Sequence, residues 1–168
     1  MSTLTEKEYW SKIDQLKKKY PDYVESKDVE VLNLIMKREF AEQILRGEKK
    51  VEFRAVSDHY ISRLIDKNVV EFKKNHLDDD DVQDFCDPLR IVKKIHFHNY
   101  NNSWYLDVSV KSNDYVGVDE EGIKFMHETF GCHELDELYE SLTEAERKKY
   151  APCFFYFEVG EILGTNLS

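Results

Sequence analysis

Lys49, Glu52 and Arg54 fall within one short segment, Gly47-Glu48-Lys49-Lys50-Val51-Glu52-Phe53-Arg54. A carboxylate set between cations can do two kinds of work. It can bind, with the guanidinium on a phosphate or base edge and the carboxylate accepting from an exocyclic amine or a ribose hydroxyl. It can also catalyse, with the carboxylate as general base for water and a cation stabilising an oxyanion. Residues 37–54 hold six Lys or Arg (37, 38, 46, 49, 50, 54) against four Glu (39, 42, 48, 52), a locally positive stretch in a chain of net charge −10. On pattern alone the segment reads as a solvated strand face whose Glu–Arg pair is worth little.

Other residues of chemical interest read more plainly. His96 and His98 share a strand face by period 2, but no third ligand stands at a characteristic spacing, so no metal site is expected there. Cys132-His133-Glu134 offers a nucleophile beside a base, yet adjacent side chains on one element rarely face each other. The run Asp78, Asp79, Asp80, Asp81 and Asp84 lacks the glycine and terminal glutamate of a calcium loop and reads as a solvated acidic loop between Asn75 and Pro88. Tyr60, Trp104 and Tyr105 could stack on a base, against the plainer role of core packing.

Several elements must position these residues. Thr5 and Glu8 have capping-box spacing, and Tyr9, Ile13, Leu16 and Tyr20 follow at helical intervals until Pro21. Asp22 to Glu30 reads as a polar linker. Val31 to Met36 is a nearly continuous apolar run, the pattern of a strand buried on both faces. Phe40, Ala41, Ile44 and Leu45 form a helical stripe that Gly47 closes. Over Lys50 to Val56, Val51, Phe53 and Ala55 alternate with Lys50, Glu52 and Arg54, so the three charged residues project from one face about 7 Å apart. Ser57 caps a short helix carrying Tyr60, Ile61, Leu64 and Ile65. Ile91–His98 and Trp104–Lys111 form a hairpin turned at Asn99–Ser103. Helical stripes follow Gly117, Thr143 and Glu146 open a final helix, and Phe154–Val159 with Ile162–Leu163 make a buried closing strand. Strands from both ends with helices between them make the chain α+β, a small mixed barrel with flanking helices. Residues 1–29 are expected to be a helical extension and linker, and 30–168 the main domain.

The 168 residues suit one main domain, with 41% hydrophobic and 35% charged residues marking a globular chain. The charge argues against a general nucleic-acid footprint, because such affinity follows the number of phosphates neutralised. Duplex DNA is therefore not an expected partner, and any RNA contact must be local. No apolar run is long enough to span a bilayer, no signal-peptide core opens the chain, and three cysteines without CxxC spacing imply neither disulfides nor zinc. The expectation is a reduced cytoplasm, no membrane, no metal and no cofactor.

Gly47, Lys49 and Arg54 fit the spacing GxKxxxxR. The run from Leu32 to Arg54 resembles the opening of ASCH domains, and Phe154-Phe155-Tyr156-Phe157-Glu158-Val159 resembles their closing strand. The resemblance covers about Glu30 to Leu163. It implies a PUA-like barrel and the binding of RNA or a modified nucleoside, with Gly47, Lys49, Glu52, Arg54 and Tyr60 around the ligand. One branch of the family hydrolyses the acyl amide of N4-acetylcytidine with a lysine, a threonine and a glutamate. The resemblance puts the lysine at Lys49 and the threonine position at Glu52, which cannot simply replace a hydroxyl nucleophile. It puts the glutamate in a later helical region, where Glu128 is the candidate.

Three functions are thus distinguished: binding of RNA or a modified nucleoside, amide hydrolysis on an acylated nucleoside with Lys49 and Glu52 catalytic, and a protein-interaction module. A narrow cleft favours a nucleoside, a broad basic groove from Lys37 and Arg38 past Arg54 favours RNA, and an exposed apolar patch with a filled cleft favours a protein.

Overall fold

The computed structural model describes residues 4–149 and 151–168. In order, the elements are α1 (Glu6–Lys19), β1 (Leu32–Ile35), α2 (Arg38–Leu45), β2 (Val51–Ala55), α3 (Asp58–Leu64), α4 (Lys67–Asn75), α5 (Asp80–Phe85), β3 (Lys94–His98), β4 (Tyr105–Gly117), α6 (Glu120–Phe130), α7 (Asp136–Ser141), α8 (Glu144–Lys149) and β5 (Cys153–Thr165). They fall into two compact units, one of residues 4–28 with Ile61–Ile91, the other of Val29–Tyr60 with Val92–Ser168. The fold is α+β, and no described helix is long and apolar enough to cross a membrane.

The larger unit is a five-stranded mixed sheet in the order β1-β3-β4-β5-β2. Only β1 and β3 are parallel; β3–β4, β4–β5 and β5–β2 are antiparallel. The register lines up two apolar rows, Leu32–Ile95–Val108 and Leu34–Phe97–Leu106, and all six side chains are buried. Between Asp107 and Ser112 the β4–β5 register shifts three times. Such bulges bend and twist long strands, and these two run 13 residues each. The result is a half-barrel whose outer strands β1 and β2 are joined by a side chain, with Arg54 of β2 donating to the Ile35 carbonyl of β1 at 2.9 Å.

Several sequence expectations change here. The Val31–Met36 run forms an edge strand with alternating burial, Leu32 and Leu34 inside and Ile35 outside; its apolar residues continue beyond what one face can bury. The closing strand buries Phe155, Tyr156 and Phe157, while Ile162 and Leu163 are exposed. On β2, Phe157 pairs beside Glu52 and Phe155 beside Arg54; the Glu52 and Arg54 side chains are 11% and 20% exposed while Lys50 stays exposed, so the charged face is only partly solvated. The other face of β2 joins a core of Val51, Val116, Val118, Met126, Leu135 and Tyr156. There α6 approaches β4 closely, since a Cβ on Gly122 would lie 1.8 Å from the Gly117 carbonyl oxygen.

The smaller unit packs α1, α4 and α5 around Leu16, Val69, Phe72, Val82 and Cys86, joined by Tyr23 and Val24 from the polar stretch after Pro21. α1 is capped as expected, Thr5 accepting from the Glu8 amide at 3.2 Å. The acidic run is not a loop. Asp79 caps α5 by accepting from the Asp81 and Val82 amides, and Asp80 and Asp81 occupy its first turn, where negative charge is favoured by the helix dipole.

Candidate functional site

Lys49 is placed by the way α2 ends. Gly47 takes the left-handed conformation (φ 76°), and the amides of Glu48 and Lys49 both donate to the Gln43 carbonyl, at 2.9 and 3.2 Å. Few side chains other than glycine hold that φ cheaply. The turn sends the Lys49 side chain inward, leaving it 7% exposed. Its ammonium donates to the Val51 carbonyl at 2.9 Å and to both Glu134 oxygens at 2.8 and 3.1 Å. Glu52 lies 3.7 Å away, and the Phe40 ring 5.8 Å away.

Glu134 comes from the connection between α6 and α7. A second left-handed glycine, Gly131 (φ 60°), stops α6, and the Cys132 amide returns to the Met126 carbonyl at 3.1 Å. Leu135 is buried in the core of the larger unit, which fixes its neighbour Glu134 beside Lys49. The Glu134 side chain stays 40% exposed.

Glu52 and Arg54 form a network behind the lysine. The Glu52 side chain is 11% exposed and accepts from the Phe53 amide at 2.9 Å, with Arg54 at 3.4 Å. Arg54 also reaches the Tyr60 hydroxyl at 3.4 Å. A carboxylate taken out of water must be paired in this way or pay heavily in desolvation. The structure thus brings Lys49, Glu52, Arg54 and Tyr60 into one chain of contacts.

In front of Lys49 lies a cleft of about 330 Å³, lined by residues 47–51 and 130–134. Gly47, Lys49 and Glu134 border it, with Val51 and Phe130 as its apolar wall. Glu128 is elsewhere: it is exposed on α6, 4.0 Å from Lys124. The residue that meets Lys49 is Glu134, which its sequence position shows only as a neighbour of Cys132 and His133. The sequence signal that could have found it is Gly131, a helix stop that mirrors Gly47 on the other wall.

The Cys132-His133 pair does not form a nucleophile and base. His133 turns to Asp136 at 3.1 Å, and burial pushes the Cys132 thiol up. Trp104 is buried. Tyr105 stacks on His96, which in turn stacks on His98 and bonds to Asp107. Of the cations in residues 37–54, Arg38 pairs with Glu42, Arg46 with Glu48, Lys49 with Glu134 and Arg54 with Glu52. The locally positive stretch is therefore largely neutralised in place.

No protein-family model matches the chain, and no curated protein matches it. Among solved structures, it is similar to the crystal structure of a mutant ZmASCH protein from Zymomonas mobilis, at 13% identity and TM-score 0.38, over 80% of this chain and 70% of that one. A likeness of this extent carries no argument about site residues, ligand or activity.

Proposed function

We propose that this chain is a PUA-like domain of the ASCH type that takes a single modified nucleoside into the cleft at Lys49 and Glu134. One observation supports this reading most: the cation at the cleft is already matched by Glu134 at 2.8 Å. A balanced pocket suits an uncharged ring with hydrogen-bonding edges, whereas a phosphodiester chain calls for unmatched cations. The cleft volume of about 330 Å³ lies at the small end of ligand sites, roughly 300–1,000 Å³. Phe130 offers a base its apolar contact, and the outer lobe of Glu134 can accept from an exocyclic amine. Glu52, Arg54 and Tyr60 act behind Lys49, holding its position.

The pair also favours a second reading, hydrolysis of an acylated nucleoside amide. Glu134 is exposed enough to take a proton from water as that water attacks the acyl carbonyl. The Lys49 ammonium stabilises the resulting oxyanion, and the protonated Glu134 returns its proton to the leaving amine.

A thermal-shift screen with modified nucleosides, including N4-acylated cytidines, and short RNAs tests both, with mass spectrometry on each hit. Stabilisation by a nucleoside, lost in Glu134→Gln, is the expected result; loss of the acyl group adds the hydrolase. Stabilisation by RNA alone, weakening steeply with salt, would overturn the nucleoside reading.

A further inference from the structure

His127, His133 and Asp136 converge in the connection between α6 and α7. His127 Nε2 lies 2.6 Å from one Asp136 oxygen and His133 Nδ1 3.1 Å from the other. The imidazole centroids are 4.1 Å apart, and the three candidate ligand atoms all lie within 4.8 Å of one another. The backbone holds them there: His127 is in the last turn of α6, Gly131 donates to the His127 carbonyl at 3.0 Å, and Asp136 donates to the His133 carbonyl at 3.2 Å.

We propose that His127, His133 and Asp136 form a site for a divalent transition ion of the zinc type. Two imidazoles and one carboxylate are the borderline donor set that such ions prefer over magnesium or calcium. With bonds of about 2.0–2.2 Å in a tetrahedron, ligand atoms stand roughly 3.3–3.5 Å apart. The two contacts run to different Asp136 oxygens, so with one oxygen as ligand the short side needs to open by under about 1 Å, and the other two, within 4.8 Å, need to close by at most about 1.5 Å. The side chains are 35%, 65% and 32% exposed, so an ion can enter without unfolding. Three protein ligands leave a fourth position for water or an outside ligand. His133 also lines the cleft, which puts the ion at the cleft wall. The proposal does not depend on what the cleft binds.

The test uses the full chain stripped with a chelator and titrated with zinc chloride by calorimetry. One ion per chain is expected, with affinity lost in His127→Ala and Asp136→Ala by more than the roughly 10–100-fold that outer-shell changes cost. His133→Gln, altering the most exposed of the three, guards against a folding defect and should weaken zinc similarly. His96→Ala should leave it unchanged. Cobalt loading adds a readout on the unmutated protein: d–d bands of a four- or five-coordinate ion without a thiolate charge-transfer band. Absence of stoichiometric binding by the folded chain, unchanged affinity in His133→Gln, or a thiolate band assigning the ion to Cys132 would each overturn the site.

Discussion

The Lys49 ammonium donates to both oxygens of Glu134 across 85 residues of sequence, at 2.8 and 3.1 Å. The two partners differ sharply in exposure, 7% against 40%, so the two halves of the pair should separate fold from function. Lys49→Ala leaves Glu52 buried with one cation fewer and should cost roughly 3–5 kcal/mol, as breaking a buried ion pair does. Glu134→Gln should cost about 1 kcal/mol or less while removing nucleoside binding. Urea unfolding of both variants checks the first statement and the thermal-shift response checks the second.

Arg54 reaches Ile35 on the opposite outer strand and Glu52 on its own. Arg54→Ala leaves the buried Glu52 carboxylate with Lys49 as its remaining cation and frees the Ile35 carbonyl of β1. Stability should fall by about 1.5–3 kcal/mol, the range for hydrogen bonds to charged groups. Arg54→Lys should recover only part of this, because an ammonium lacks the forked donor geometry. Equal melting temperatures for wild type and Arg54→Ala would show that the link contributes nothing.

Gly122 has no room for a side chain, a Cβ there lying 1.8 Å from the Gly117 carbonyl oxygen. Gly122→Ala should force α6 off β4 and destabilise by about 2–3 kcal/mol, at the upper end of overpacking costs. At roughly 2–4 °C per kcal/mol for a chain of this size, the melting temperature should drop by about 4–12 °C. Gly131→Asn, at a left-handed position with open space around it, should be far milder.

Asp79 accepts from the Tyr20 hydroxyl and the Lys19 ammonium, which hold its carboxyl down at about 2. A carboxylate depressed in the folded state contributes stability that is full above its unfolded value, near 3.8, and lost as the pH falls toward 2. Asp79→Asn should therefore be less stable than wild type at pH 6, with the gap narrowing as the pH falls from 4 to 2. Parallel stability curves for the two proteins across that range would remove Asp79 as the cause.

Local signals were legible in the sequence where local physics decides. The Thr5 cap and the Gly47 stop both appear as read, and so do the hairpin at Asn99–Ser103 and the Thr143–Glu146 capping box, closed in both directions at 3.1 and 3.3 Å. The acidic run misled because five aspartates look solvated until Asp79 is seen as a cap with charges in the favourable first turn. Glu52 and Arg54 looked exposed because period 2 says which residues share a face, not what lies beside it; their ladder partners Phe157 and Phe155 come from the far end of the chain. Glu134 was hidden for the same reason, its meaning lying wholly in a partner 85 residues away. The grouping of Ile61–Ile91 with the N-terminal residues is likewise a matter of packing that no local window contains.

The placing of β2 beside β5 has a consequence for how the molecule comes into being. Val51 finds its ladder partner at Glu158 and Ala55 at Phe154. A chain emerging from the ribosome can assemble the hairpin of β3 and β4 early, because those strands are neighbours. β2 must wait for the last strand to be made, and its long loop closure makes that pairing slow. Until then Glu52 and Arg54 have no sheet to be buried against, and the pocket that Lys49 borders has only one finished wall. The site is thus born last, and any nascent chain that carries it is already whole through β5.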